Sequence, residues 1–172
     1  MNRVLWALVV LMLPACGGGQ AGAEPVAAMD KWQRVEAAED PFSAQRESWH
    51  YCDPGGIGTE VGHDGTTLEV DTGLCNFATV RQPLKAALGA GDTLQLDLWH
   101  GVLDAPEVAT ATVIVATEEA LLLQGAFPIP SASGQASLTG AVGADIPVGT
   151  FVYLHLNNHG DNAWTFLALE KR

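Results

Sequence analysis

Short runs of alternating character, each closed by glycine or proline, constrain this chain more than any other feature. Residues 93–100 read Thr-Leu-Gln-Leu-Asp-Leu-Trp-His, which puts Leu94, Leu96 and Leu98 on one side and Gln95, Asp97 and Trp99 on the other. Side chains that change face at every residue mark a strand buried on one face. Residues 66–71 and 75–80 alternate in the same way, with Gly73 in the gap between them. Residues 108–117 (VATATVIVAT) are apolar enough for a central strand, and residues 120–127 form another that stops at Pro128-Ile129-Pro130. Residues 135–138 are a weaker strand, and residues 83–88 read as one short turn of helix. Residues 150–156 and 164–170 close the chain around the polar tip Asn157-Asn158-His159-Gly160-Asp161-Asn162. Residues 30–40 suit a short helix or a first strand equally, and Pro41 ends either one.

Turn signals recur about every 8–12 residues, helical periodicity is almost absent, and no long internal repeat is present. The expected fold class is all-β: a two-sheet antiparallel β-sandwich of about eight or nine strands in a single domain over residues 31–172. A hydrophobic content of 48% with only 16% charged residues supplies a core and argues against disorder. The formal net charge is −12, from 8 Lys plus Arg against 20 Asp plus Glu. Nucleic acid is excluded as a partner, because neutralising phosphates takes clustered cations and none occur here.

Residues 1–15 carry Arg3 and then the apolar run 4–13, too short to span a bilayer and of the length of a secretory h-region. The sequence Leu13-Pro14-Ala15-Cys16 that follows resembles a bacterial lipobox, with Pro14 an unusual residue at its position. That resemblance implies a lipoprotein signal peptide over residues 1–15, palmitate-type lipid on Cys16, and a membrane partner through that anchor. Residues 16–30 then read as a flexible tether rich in small residues. Gly17 in place of Asp points to the outer membrane of a bacterial cell envelope, on its periplasmic or surface face. An ordinary signal cleaved near Ala15 is the alternative. With Cys16 assigned to lipid, Cys52 and Cys75 remain, and an even pair in an exported protein reads as a disulfide.

The run Gly91-Asp92-Thr93-Leu94-Gln95-Leu96-Asp97-Leu98-Trp99, the later run Gly149-Thr150-Phe151-Val152-Tyr153-Leu154-His155-Leu156, and a closing strand with Trp164 resemble jelly-roll modules of the galactose-binding-like and carbohydrate-binding kind. The resemblance spans about residues 45–170, is one of strands and turns, and implies sugar binding by analogy only.

The densest polar feature is the tip after residue 155. If the strand runs on, His155, Asn157 and His159 share a face and suit hydroxyl groups or a metal; otherwise they are solvated turn residues. Trp99 alternates with Gln95 and Asp97, so it belongs to a solvent-facing surface or, like many tryptophans, to the core. Trp49 carries the same ambiguity and is expected beside the disulfide. The expected ligand contacts are Trp99, His100, His155, Asn157, His159 and Trp164, with a glycan or other polar envelope ligand as partner. Two alternatives stand beside this: a structural or protein-interaction lipoprotein of the envelope, and a metal protein using His100, His155 and His159. No cofactor is implied: H-E-x-x-H, H-x-H and the calcium loop D-x-[DN]-x-[DN]-G are all absent, although oxygen ligands for Ca²⁺ are plentiful. No G-x-S-x-G occurs and the carboxylates read as solvated, so an enzyme is not expected.

Overall fold

The computed structural model describes residues 22–62 and 65–172. The expected signal peptide, Cys16 with its expected lipid, and the first part of the expected tether lie outside the described residues. Among the described residues eleven strands form: β1 (Glu24–Pro25), β2 (Gln33–Arg34), β3 (Ile57–Gly62), β4 (Gly65–Asp71), β5 (Phe77–Pro83), β6 (Thr93–His100), β7 (Ala109–Ala116), β8 (Leu121–Ile129), β9 (Gly134–Ala141), β10 (Phe151–Asn157) and β11 (Ala163–Lys171). They build two antiparallel sheets, β3-β4-β11-β6-β9 and β2-β5-β10-β7-β8, with β1 pairing β11 beside the first path. We call these the front and back sheets. β4 occupies Ala163–Phe166 of β11, and β1 takes the positions Glu170 and Lys171 that β4 leaves open. Among the described residues the only helices are three short 3-10 turns, and none is long and apolar enough to cross a membrane.

The all-β sandwich expected from alternation is the observed architecture, with three differences of detail. β3 is an additional strand: its sequence IGTEVG has two glycines and only its first residue is partly buried, so hydrophobic alternation gives no trace of it. Residues 83–88 form no helical turn; Leu88 instead makes an isolated bridge to Ile146. The domain also starts before residue 31. Val26, Ala27 and Met29 are buried, and Gln82 holds Ala28 through two hydrogen bonds, accepting its N–H at 2.9 Å and donating to its carbonyl at 3.0 Å. The small residues at 22–30 look like linker in sequence, yet the later ones fill a sheet edge. Residues 30–40 contain a 3-10 turn and the short β2.

Leu94, Leu96 and Leu98 face inward as the pattern requires, against Val80, Val113, Val115, Leu154 and Leu156 of the back sheet. Each fully buried aliphatic side chain contributes about 1.5–3 kcal/mol of transfer free energy. A second, smaller apolar cluster lies outside this core: Val35, Phe42, Phe77, Ile114, Ala116 and Tyr153. Phe77, Ile114, Ala116 and Tyr153 sit at outward positions of the back sheet, whose inward neighbours Ala78, Val113, Val115, Leu154 belong to the main core. The segment 35–52 therefore folds across the outer face of the back sheet and covers part of it. The disulfide Cys52–Cys75 ties the end of this crossing to the start of β5. Closing a loop of 23 residues contributes about 3 kcal/mol on the chain-entropy account.

Candidate functional site

Three attachments hold the crossing segment on the back sheet. Near its start, Val35 donates its N–H to the Thr79 carbonyl at 2.9 Å. In the middle, the Asp40 carboxylate accepts from Thr79 Oγ1 at 3.0 Å and from the Phe42 N–H at 2.9 Å, with Arg46 3.7 Å away. At the far end, His50 Nδ1 accepts the Glu47 N–H at 2.8 Å. Its proton therefore sits on Nε2, which donates to Asn157 Oδ1 at 3.1 Å. Burial holds the His50 imidazole below its ordinary pKa of 6.5, with the bond to Asn157 as the main opposing influence.

Rings touch one another in sequence along this attachment, Phe42 and His155 stacked and the other pairs tilted or edge-on. His159 lies 4.5 Å from Trp49, Trp49 3.8 Å from His50, His50 4.6 Å from Phe77, Phe77 4.5 Å from His155 and His155 4.3 Å from Phe42, measured between centroids. The series joins two concave regions. One is a groove on the outer face of the back sheet, where Phe42 and His155 lie; the other is a cleft at the loop end of the sandwich, where Trp49 and His159 lie.

The loop-end cleft holds about 500 Å³ and is lined on one side by Trp49, Tyr51 and His159. Loop residues Pro106, Glu107 and Val108 form the other side. Trp49 is 38% exposed and Tyr51 45% exposed, so both rings present surface to a ligand. Their positions are set by fixed contacts. Trp49 Nε1 donates to Glu47 Oε2 at 3.1 Å, the Tyr51 hydroxyl lies 3.3 and 3.2 Å from the carbonyls of Thr72 and Gly73, and the Tyr51 N–H donates to Asn76 Oδ1 at 2.8 Å. The carboxylates of Glu107 and Asp161 are exposed within the same cleft.

The tip at 157–162 is built as a rigid wall. Thr72 Oγ1 accepts from the Asn162 N–H at 2.8 Å and from Asn158 Nδ2 at 2.9 Å. Asn162 donates Nδ2 to the His159 carbonyl at 2.8 Å and accepts the Asp104 N–H at 2.8 Å, which ties the two walls of the cleft together. Gly160 adopts φ +81°, and a Cβ there would collide with the Asp104 carbonyl. Asn158 and Asn162 are thus buried struts, not wet turn residues.

The six contacts expected from sequence are dispersed. Trp164 is fully buried in the core, and His100 is buried beside it at 5.2 Å, pairing with it across β6 and β11. Trp99 stands on the outer face of the front sheet, 36% exposed. His155 and Asn157 lie on the outer face of the back sheet, and His159 joins the loop-end cleft. His100, His155 and His159 accordingly form no common metal site. Among the described residues no group of three or more His, Cys, Asp or Glu side chains is placed to hold a metal ion. Trp49 packs on His50 and His159 and stands partly exposed, where the disulfide was expected to receive it. Sequence reasoning missed Tyr51, Glu107 and Asp161. The one signal available was the aromatic pair Trp49 and Tyr51 just before a bridged cysteine, which fixes backbone while leaving side chains outside.

No protein-family model matches the chain, and no curated protein matches it. Among solved structures it is similar to the carbohydrate-binding module CBM4, with a TM-score of 0.44 at 15% identity, over 70% of this chain and 97% of that one. It is similar to the C-terminal CBM6 of a marine laminarinase from Zobellia galactanivorans, at 0.41 and 14%, over 81% and 98%. It is also similar to CBM29-2, a family 29 carbohydrate-binding module complexed with mannohexaose, at 0.42 and 12%, over 89% and 93%. None of the three fixes the role of a residue in this chain.

Proposed function

We propose that the protein is a non-catalytic glycan-binding module that holds saccharide in the loop-end cleft. One observation carries this reading: Trp49 and Tyr51 expose aromatic surface in one cleft beside the carboxylates of Glu107 and Asp161 and the imidazole of His159. A sugar ring has apolar C–H faces and a hydroxyl rim. An aromatic platform removes the first from water while carboxylates and imidazole accept from the second. The rigid tip reduces the ordering cost on binding.

The same reading places the module on a lipid anchor at Cys16, in the envelope of a bacterium and on its outer membrane. The arrangement of the chain supports such a display. The first described residues pair with the end of β11, and the cleft lies at its beginning, so the nine residues of β11 put about 30 Å between the chain's point of entry and the ligand.

Titration calorimetry against a panel of neutral and acidic oligosaccharides tests the binding claim. A bound glycan should lose about tenfold or more in affinity in Trp49→Ala, as expected for removal of a stacking ring, and none in Trp99→Ala. Failure of every glycan to bind, or loss of binding in Trp99→Ala alone, contradicts the reading.

A further inference from the structure

We propose that the groove on the outer face of the back sheet is a second binding site, one for a ligand carrying a primary ammonium group. The groove holds about 540 Å³, and its lining includes His155, Asn157, Gln45, Gln124, Glu118 and Glu119. Neither Lys nor Arg lines it.

The decisive group is His155, fully buried at the inner side of the groove. Its Nδ1 lies 2.8 Å from Thr79 Oγ1, which lies 3.0 Å from Asp40 Oδ1. A carboxylate paired with Arg46 only accepts, so the single hydroxyl proton of Thr79 goes to Asp40. Thr79 Oγ1 then accepts from His155, which fixes the imidazole proton on Nδ1. Nε2 is left as a bare lone pair, and it has no partner. Thr79 faces His155 from β5 on one flank, while Ile114 faces it from β7 on the other. His155 lines the groove together with Thr112 and Ile114 of β7. Burial pushes the His155 pKa down to about 3, so the ring does not satisfy Nε2 by taking a proton from solvent near neutrality.

An unpaired buried acceptor costs about 1–3 kcal/mol and is restored by a donor from outside. The surroundings select the kind of donor. Glu118 and Glu119 stand exposed at the rim, Glu118 accepting from the Tyr153 hydroxyl at 3.0 Å, and the whole chain carries a net charge of −12. That field attracts a cation and repels an anion. An ammonium brings three donors to a region dominated by acceptors. Asn157, whose Oδ1 is held by His50, keeps its amide N–H groups as the donors available to a neighbouring hydroxyl. An amino sugar combines both features, and a simple alkyl diamine has the first alone.

Titration calorimetry near pH 6 on the disulfide-bonded protein, with a glucosamine trimer, its N-acetylated counterpart and 1,4-diaminobutane, tests the site. The proposal expects the glucosamine trimer to bind and the acetylated trimer to bind about tenfold more weakly or worse, the worth of one charge-assisted hydrogen bond. It expects a similar loss in Glu119→Gln, an exposed position where folding is not at risk, and no loss in Trp99→Ala on the opposite sheet. The ¹⁵N resonance of His155 Nε2 should move on binding in the unmutated protein. Diamine binding with the same dependence on Glu119 supports the site and makes the amine alone sufficient. Equal affinity for acetylated and free amine, indifference to Glu119→Gln, or an unmoved Nε2 resonance overturns it. Because Glu119 and His155 line the groove and not the loop-end cleft, failure here leaves the loop-end reading standing, and the converse holds.

Discussion

The outer faces of the two sheets follow the same alternation in sequence and meet opposite fates. On the front sheet Trp99 stays in solvent, and the polar side chains around it bond to one another. Gln95 donates to both oxygens of Asp97 at 2.8 Å, Ser137 also donates to Asp97, and Glu69 accepts from Thr67 and Thr165 at 2.7 Å each. On the back sheet the segment 35–52 crosses the face, and His155, at an outward position, is as buried as any core residue. Alternation decides which side chains leave the core. It does not decide what lies on top of them, because that depends on a connection with no periodicity of its own. Covering part of a face creates edges, and the groove and the loop-end cleft both lie along the edges of the crossing.

The widest test of this contrast lies between two tryptophans. Trp164→Ala should cost about 3–5 kcal/mol in urea unfolding, because it empties a fully buried site. Trp99→Ala should cost about 1 kcal/mol, as for a side chain only partly packed on a sheet face. Comparable losses would mean that Trp99 is covered.

Next in size is removal of the disulfide. Cys52→Ser with Cys75→Ser should cost about 3 kcal/mol. Limited proteolysis should then cut first within 35–52, since the bridge anchors the end of the crossing. First cuts at the front sheet would break the comparison.

A separate effect concerns acid. The unfolded chain takes a proton on each histidine near pH 6.5, while folded His155 is held down to about 3 and folded His50 is also lowered. Their stabilising contributions are therefore complete above about pH 6.5 and fall away as the pH drops toward 3. The slope is up to about 1.4 kcal/mol per pH unit for each proton. His155→Gln should flatten the pH dependence of unfolding free energy between pH 6.5 and 4, whatever its effect on stability at neutral pH. An unchanged slope would mean that His155 is not held neutral by the crossing segment.

The sandwich was legible wherever a strand is buried on one face. Leu94, Leu96 and Leu98 announce β6, and Cys52 with Cys75, the pair left once Cys16 is set aside, announces the bridge. β3 was not legible because neither of its faces is buried, so no selection for alternating hydrophobicity acts on it. The candidate site was legible only in fragments. His159 lies in the tip that looked most polar, but the tip works through buried Asn158 and Asn162 bonded to Thr72 and Asp104, partners 86 and 58 residues away. Trp164 and His100 were misplaced for a related reason. Both fall near polar neighbours in sequence, while cross-strand pairing turns them inward. Trp49 and Tyr51 were hidden because an exposed aromatic and a packed one have the same local sequence.

The most direct test of the central claim follows the indole N–H resonances of ¹⁵N-labelled protein during titration with a bound oligosaccharide. Trp49 Nε1, which donates to Glu47 at the rim of the cleft, should shift together with the backbone amides of 157–162, while Trp99 and Trp164 stay in place. A shift at Trp99 without one at Trp49 would put the ligand on the open front sheet and contradict the account.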